Sequence, residues 1–159
     1  MALAELATED VEISRTVALL GGRRTLHRSV RNRLEAHDLL RNGLPGHALK
    51  HLVDTIDILR ASHHGIMEKA VGISLRTYQR RMDALDKPLS PEQSGRTWKF
   101  AELLSRAAEL FGSQAAAEAW LERPAMALEQ RRPIDLLSTP AGVETLEAHL
   151  TRLEYGVYT

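Results

Sequence analysis

The chain has 159 residues, a length that is enough for one helical domain or two small domains that share a core. Of its residues 43% are hydrophobic and only 4% are aromatic. Its 21 basic residues balance 21 acidic ones, which argues against binding to nucleic acid through net charge alone, and the lack of cysteine excludes disulfides and thiolate metal sites. No apolar run is long enough to cross a bilayer and the first fifteen residues lack a signal core, so we expect a cytoplasmic protein without membrane contact.

Residues 1–42 are predicted to form an N-terminal helical and basic segment. A helix over residues 1–20 is stopped by Gly21 and Gly22, and a short apolar helix follows over residues 34–40. Six arginines and no acidic residue lie between Ile13 and Leu34, namely Arg15, Arg23, Arg24, Arg28, Arg31 and Arg33. The stretch over residues 23–33 is compatible with an arm, a loop or a short helix, and with either a solvated face or a contact surface.

Residues 43–100 are predicted to form a helix-turn-helix domain. From His47 onward apolar residues recur at intervals of three and four, as in one face of a helix. The residues of this face are Leu49, Leu52, Val53, Ile56 and Leu59. A short helix over residues 63–71 and a turn at Gly72 follow, and Ser74 is an N-cap for a helix over residues 75–85.

The helix after Ser74 has an outer face suited to a DNA groove. Ile66 and Ala70 are predicted to face inward from the preceding helix, while Ile73 and Tyr78 anchor the second helix to the core. The residues left to face DNA are Ser74, Arg76, Thr77, Gln79, Arg80 and Arg81. Arginine binds guanine bidentately, glutamine binds adenine, and hydroxyls reach phosphates or bases. An ordinary helical hairpin with a basic surface is the alternative at this stage.

Residues 101–159 are predicted to form a second, smaller helical domain. The three helices from residue 91 onward have N-caps at Ser90 (with Pro91 and Gln93 in a capping box), Ser113 and Thr139, and stops at Gly112, Pro124 and Gly156. Trp120 is expected in the core, and two short elements lie around Pro133. No segment shows the alternation of a strand, so the predicted fold class is all-α.

Together these features resemble the Xre-type antitoxins that carry a C-terminal toxin-binding domain, the Xre/ParS family. The resemblance runs from about residue 17 to residue 159. The segments that carry it are ALLGG at 18–22, GLP at 43–45, GISLRTYQRR at 72–81, LSPE at 89–92, LFG at 110–112, AWL at 119–121, PIDLL at 133–137 and RLEYGVYT at 152–159. Their order and the terminal signature make the match specific.

The resemblance implies an antitoxin of a type II toxin–antitoxin system whose partner is a RES-domain toxin that depletes NAD+. Its C-terminal region would block the toxin's active site, while the helix-turn-helix represses the shared operon by binding operator DNA as a homodimer within a larger complex. The implied toxin-binding residues are Arg152, Glu154, Tyr155, Gly156, Val157, Tyr158 and Thr159. Tyrosines supply stacking area and the two charged residues supply ion pairs. Residues 23–33 would contact DNA, the toxin or a second antitoxin.

The sequence departs from the family pattern at one loop. Residues 128–132 lack the glycines expected between the tryptophan helix and Pro133, and Met126 stands where the family often has asparagine. In the alternative for the tail, Tyr155 packs on its own domain and the last three residues are frayed.

Two other functions compete with this one. His47, His51 and Asp54 share one helix face, as metal ligands would, but the sequence offers no further ligand and the same helix carries core residues. No nucleophile–base pair or phosphate loop is evident, so we expect no enzyme activity, no metal and no cofactor. A stand-alone repressor whose C-terminal domain dimerises or senses a small molecule is the second alternative, and a toxin gene next to this one would argue against it.

Overall fold

The computed structural model describes residues 2–61 and 65–156, with side chains from residue 11 onward. The helices over this part of the chain are α1 (Ala2–Leu19), α2 (Gly22–Leu26), α3 (Arg33–Asn42), α4 (Gly46–Thr55), α5 (Asp57–Arg60), α6 (Ile66–Val71), α7 (Leu75–Arg81), α8 (Pro91–Phe111), α9 (Gln114–Glu122) and α10 (Pro140–Glu154). Two 3₁₀ turns, Met126–Leu128 and Pro133–Leu136, lie between α9 and α10. No strand forms within these residues, so the all-α prediction is confirmed.

The long helix α8 is the centre of the molecule. Helices α1, α3, α6, α9 and α10 all pack against it, and Phe100, Leu103 and Leu104 of α8 are almost completely buried. Helix α8 therefore belongs to the core of both the helix-turn-helix and the C-terminal helices. None of the described helices is long and apolar enough to span a membrane.

The predicted N-caps are confirmed. The hydroxyls of Ser74, Ser90, Ser113 and Thr139 each accept a hydrogen bond from the backbone N–H three residues later. Gln93 completes the capping box at Ser90, and Gly112 ends α8 in the left-handed conformation. Each side-chain cap contributes about 1 kcal/mol, because it satisfies a backbone donor that the helix itself cannot pair.

The helix predicted from His47 is broken at Ile56, a difference from the sequence pattern. Ile56 has extended backbone angles, φ −108° and ψ 112°, and its side chain is fully buried. Helix α9 satisfies the polar groups freed by the break. Gln114 donates to the carbonyl of Thr55 at 3.1 Å, and Glu118 accepts from the N–H of Ile58 at 3.0 Å.

The helix predicted over residues 75–85 is shorter than expected, because α7 ends at Arg81. The chain then turns over residues 82–87 and packs against the start of α4. The carbonyl of Leu85 accepts a hydrogen bond from the N–H of His47 at 3.2 Å. A Cβ on Gly46 would lie 2.7 Å from that carbonyl oxygen, so this close approach needs glycine.

Part of the arginine-rich segment forms a short helix. Helix α2 is a single turn whose Leu26 is buried, and His27 ends it in the left-handed conformation with φ 59°. Arg23 and Arg24 of α2 are exposed. Arg15, at the end of α1, pairs with Glu109 of α8 at 3.2 Å.

Candidate functional sites

Helices α6 and α7 form the helix-turn-helix geometry. Ile66 and Ala70 of α6 are buried as predicted, Val71 is buried as well, and Ile73 in the turn is 1% exposed. Gly72 makes the turn with φ 74°. Helix α7 itself contains no fully buried residue, so it lies on the surface. Tyr78, half-buried, anchors it: burial and the nearby Asp54 carboxylate raise the pKa of the Tyr78 hydroxyl.

Three of the six predicted DNA-facing residues extend into solvent from one side of α7. Arg76, Gln79 and Arg80 are exposed, and their spacing of three and four residues places them on one helix face. Ser74 and Thr77 are half-buried and form the N-cap, with the Ser74 hydroxyl 3.1 Å from the Thr77 N–H.

The sixth predicted residue, Arg81, is engaged inside the protein. Its guanidinium donates to the carbonyl of Pro88 at 3.1 Å and to the Gln93 side chain at 3.2 Å. Through these bonds Arg81 fastens the end of α7 to the start of α8. Its side chain therefore has a positioning role for the helix that carries the other predicted DNA contacts.

A polar cluster joins α6 to the segment before α10. Asp135 accepts from Lys69 at 2.7 Å and from Arg132 at 2.9 Å. These two partners, Arg132 first, lower the pKa of Asp135 from 3.8 to about 2. Arg96 of α8 donates to the carbonyls of Lys69 at 2.9 Å and Leu137 at 3.3 Å. Sequence reasoning missed this cluster, since its bonded residues are up to 66 positions apart.

The predicted toxin-binding residues lie at the end of α10. Tyr155 is 80% exposed, and Arg152 and Gly156 are exposed beside it. The alternative in which Tyr155 packs on its own domain is therefore wrong. Glu154 is partly exposed but pairs with Arg106 of α8 at 3.2 Å. Val157, Tyr158 and Thr159 lie outside the described residues.

Aromatic side chains support the inner face of α10. Trp120, buried as predicted, stacks on His149 with ring centroids 6.4 Å apart and an angle of 9° between the planes. The ring of Phe111 is tilted by 40° against that of Trp120, with the centroids 5.6 Å apart. Burial, with a contribution from Arg152, lowers the pKa of His149, so the ring is neutral near pH 7. The Trp120–His149 stack thus links α10 to α9.

The glycine-poor loop adopts the backbone that glycine would favour. Glu129 and Gln130 have φ 55° and 64°, both in the left-handed region. The N–H of Gln130 donates to the carbonyl of Ala125 at 2.9 Å, closing a tight turn. Met126 at the start of this loop is 83% exposed.

Two of the three candidate metal ligands make other contacts. His47 binds Asp86 at 3.0 Å and Asp54 pairs with Lys50. Over residues whose side chains are described, no three His, Asp or Glu groups converge as a metal site would require.

Comparison with known proteins matches both parts of the chain. Residues 35–102 match the antitoxin Xre-like helix-turn-helix domain, and residues 106–156 match the antitoxin Xre/MbcA/ParS C-terminal toxin-binding domain. The first match contains α6 and α7, and the second contains the exposed end of α10.

Two curated relatives extend across these regions. An antitoxin Xre of Yersinia enterocolitica is 30% identical over 109 residues, which cover 68% of this chain and 73% of that protein. An antitoxin Xre of Pseudomonas putida is 26% identical over 102 residues, which cover 62% of this chain and 64% of that protein. The chain therefore belongs to the Xre family of antitoxins, with a helix-turn-helix domain and a toxin-binding domain.

Proposed function

We propose that this antitoxin neutralises a RES-domain, NAD+-degrading toxin by placing its C-terminal residues in the toxin's active site. The observation that carries the proposal is the exposure of Tyr155, 80%, at the end of the helix that closes the toxin-binding domain. An aromatic side chain exposed to this extent at a helix end is available as an anchor for a partner.

The proposed contact surface consists of Arg152, Tyr155 and the residues after the Gly156 turn, namely Val157, Tyr158 and Thr159. Arg152 and Tyr155 are three residues apart, so both project from one side of α10. A cleft for NAD+ must accommodate aromatic rings and a charged pyrophosphate. Tyrosines match the aromatic part of this requirement by stacking, and Arg152 offers a bidentate donor to any carboxylate beside the cleft. The antitoxin acts here by binding, not by catalysis.

Truncation tests this proposal. We expect the chain lacking residues 155–159 to leave the toxin's NAD+ consumption uninhibited, while the full chain abolishes it. The variant Met126→Ser is the matched control, because it removes the most exposed described apolar side chain from the same domain without touching α10. Full inhibition by the truncated chain would refute the proposal.

We also propose that α7 represses the operon by reading operator DNA through Arg76, Gln79 and Arg80, with Thr77 and the Ser74 N-cap close to the phosphates. Arg81 holds the end of α7 in place. Operator half-sites related by two-fold symmetry require a two-fold protein, so the bound form is a homodimer. Footprinting of the upstream region would show two half-sites about one helical turn apart. A monomer bound to a single site would contradict the dimer.

A stand-alone repressor is the competing function. It predicts that the purified chain is a homodimer that leaves the neighbouring toxin active and does not co-purify with it. A stable complex between the tagged antitoxin and the toxin favours our proposal.

A further inference from the structure

A side-chain contact between α8 and α10 fixes the last turn before the C-terminal tail. The Nε and Nη2 atoms of Arg106 each lie 3.2 Å from an oxygen of Glu154, which is a bidentate pair. Nη2 also lies 3.1 Å from the hydroxyl of Thr151. That hydroxyl donates to the carbonyl of Glu147 at 2.9 Å. Arg106 thus binds two residues of the last turn of α10 at once.

The surroundings of this contact are acidic. A cleft of about 270 Å³ between α1, α8 and α10 is lined by Glu154 and by three further glutamates, Glu12, Glu102 and Glu109. The arginines that line it are Arg15 and Arg106, and Arg15 pairs with Glu109. The side chain of Arg106 is only 15% exposed, against 38% for Glu154. Without Arg106, the Glu154 carboxylate would lose its bidentate partner in a cleft lined by three other glutamates.

The turn that Arg106 holds is the one from which the tail starts. Tyr155 donates its N–H to the carbonyl of Thr151 at 3.1 Å, and Gly156 donates to Leu153 at 3.1 Å. Gly156 then changes the chain direction with φ 71°. These last backbone bonds fray readily unless neighbouring side chains hold the helix end. Among the residues that the structure describes, Arg106 is the one side chain from another helix that donates hydrogen bonds to this turn.

We propose that Arg106 is a positioning residue for toxin binding: it clamps Thr151 and Glu154, and thereby presents Tyr155 and the following residues in the orientation that enters the toxin. In this proposal Glu154 supports toxin binding by pairing with Arg106 within the antitoxin, and it does not contact the toxin itself. This inference rests on the proposed function of the tail. It assigns a role to Arg106 that no pattern in the sequence indicates.

The test measures the helix end and toxin binding separately. In Arg106→Met we expect amide hydrogen exchange at Tyr155 and Gly156 to accelerate about tenfold, and the Kd for the toxin encoded by the neighbouring gene to rise about tenfold. Arg106→Lys keeps the charge but loses the bidentate geometry, so it gives an intermediate loss. Glu154→Gln gives the smallest loss, because it removes an acid from the cleft and Arg106 keeps Thr151.

Lys99→Met is the matched control. Lys99 also links α8 to α10, through Glu147 at 3.8 Å, seven residues before Glu154, and its closer partner is Glu102 of α8 at 3.3 Å. If the Arg106 contact only stabilised the fold, Arg106→Met and Lys99→Met would lower the melting temperature alike. Neither variant would then selectively change amide exchange at Tyr155 and Gly156. Exchange at Tyr155 and Gly156 must therefore accelerate in Arg106→Met and Arg106→Lys and stay unchanged in Lys99→Met.

The outcomes separate this inference from the proposed function. Unchanged exchange at the helix end in both Arg106 variants overturns the clamp, whatever truncation of residues 155–159 does. Faster exchange with unchanged toxin affinity overturns the positioning role. If truncation leaves neutralisation intact, the proposed function fails by itself, while the exchange result still decides whether Arg106 holds the helix end.

Discussion

Asp135 offers a quantitative test of the contact between the helix-turn-helix and the C-terminal helices. The substitution Asp135→Asn removes the charge that Lys69 and Arg132 bind at 2.7 and 2.9 Å. The pKa of Asp135, lowered from 3.8 to about 2, sets an upper limit of about 2.5 kcal/mol for these interactions. The side chains of Asp135 and Lys69 are 34% and 40% exposed, so solvent screening reduces the expected loss to about 1 kcal/mol.

Urea unfolding at several pH values measures this loss. Because the folded-state pKa is depressed, the stabilisation is fully present above pH 3.8 and disappears as the pH falls towards 2. We expect Asp135→Asn to be about 1 kcal/mol less stable at pH 7 and to become equal to the parent as the pH falls below about 2. As a control, Asp86→Asn removes a carboxylate whose side chain is 98% exposed, and its effect stays below about 0.5 kcal/mol. Equal stability of Asp135→Asn and the parent at pH 7, or a loss that grows in acid, would refute the reasoning.

Three further predictions concern α7 and the turns. The double variant Arg76→Ala, Arg80→Ala binds operator DNA more weakly but still neutralises the toxin. The slope of the logarithm of the binding constant against the logarithm of salt concentration becomes shallower by about 2, because two phosphate or base contacts are lost. Unchanged mobility shifts would contradict this prediction. Gln130→Gly relieves a left-handed residue and raises the free energy of unfolding by about 0.5–1 kcal/mol, and a lower melting temperature would contradict it. Gly72→Ala lowers the free energy of unfolding by more than about 1 kcal/mol, because φ is 74° and the new Cβ would meet the Arg96 guanidinium. An unfolding midpoint at the same urea concentration as the parent would contradict this prediction.

Features that depend on neighbouring residues could be predicted from the sequence. The N-caps at Ser74, Ser90 and Thr139 follow from a short polar residue placed three positions before a backbone N–H that needs an acceptor. The inward residues Ile66 and Ala70 follow from helical spacing. The exposed position of Tyr155 had an alternative that only the three-dimensional structure could decide.

Features that depend on partners far away in the chain could not be predicted from the sequence. The break at Ile56 depends on Gln114 and Glu118, about sixty residues further along the chain. Arg81 and Glu154 belong to patterns that indicate outward contacts, yet each is bound within the protein. The identity of a polar residue does not show whether its side chain contacts another molecule or bonds within the protein. That depends on the partner that folding brings within hydrogen-bond distance.

The mode of toxin inhibition tests the central claim most directly. If Arg152, Tyr155 and the residues after Gly156 occupy the toxin's NAD+ cleft, antitoxin and NAD+ exclude each other, and the apparent inhibition constant of the full chain rises linearly with NAD+ concentration. Initial rates of NAD+ consumption at several NAD+ and antitoxin concentrations give this dependence. Competitive inhibition is the result the account predicts. An inhibition constant independent of NAD+ would contradict it, because the chain would then silence the toxin from outside the cleft.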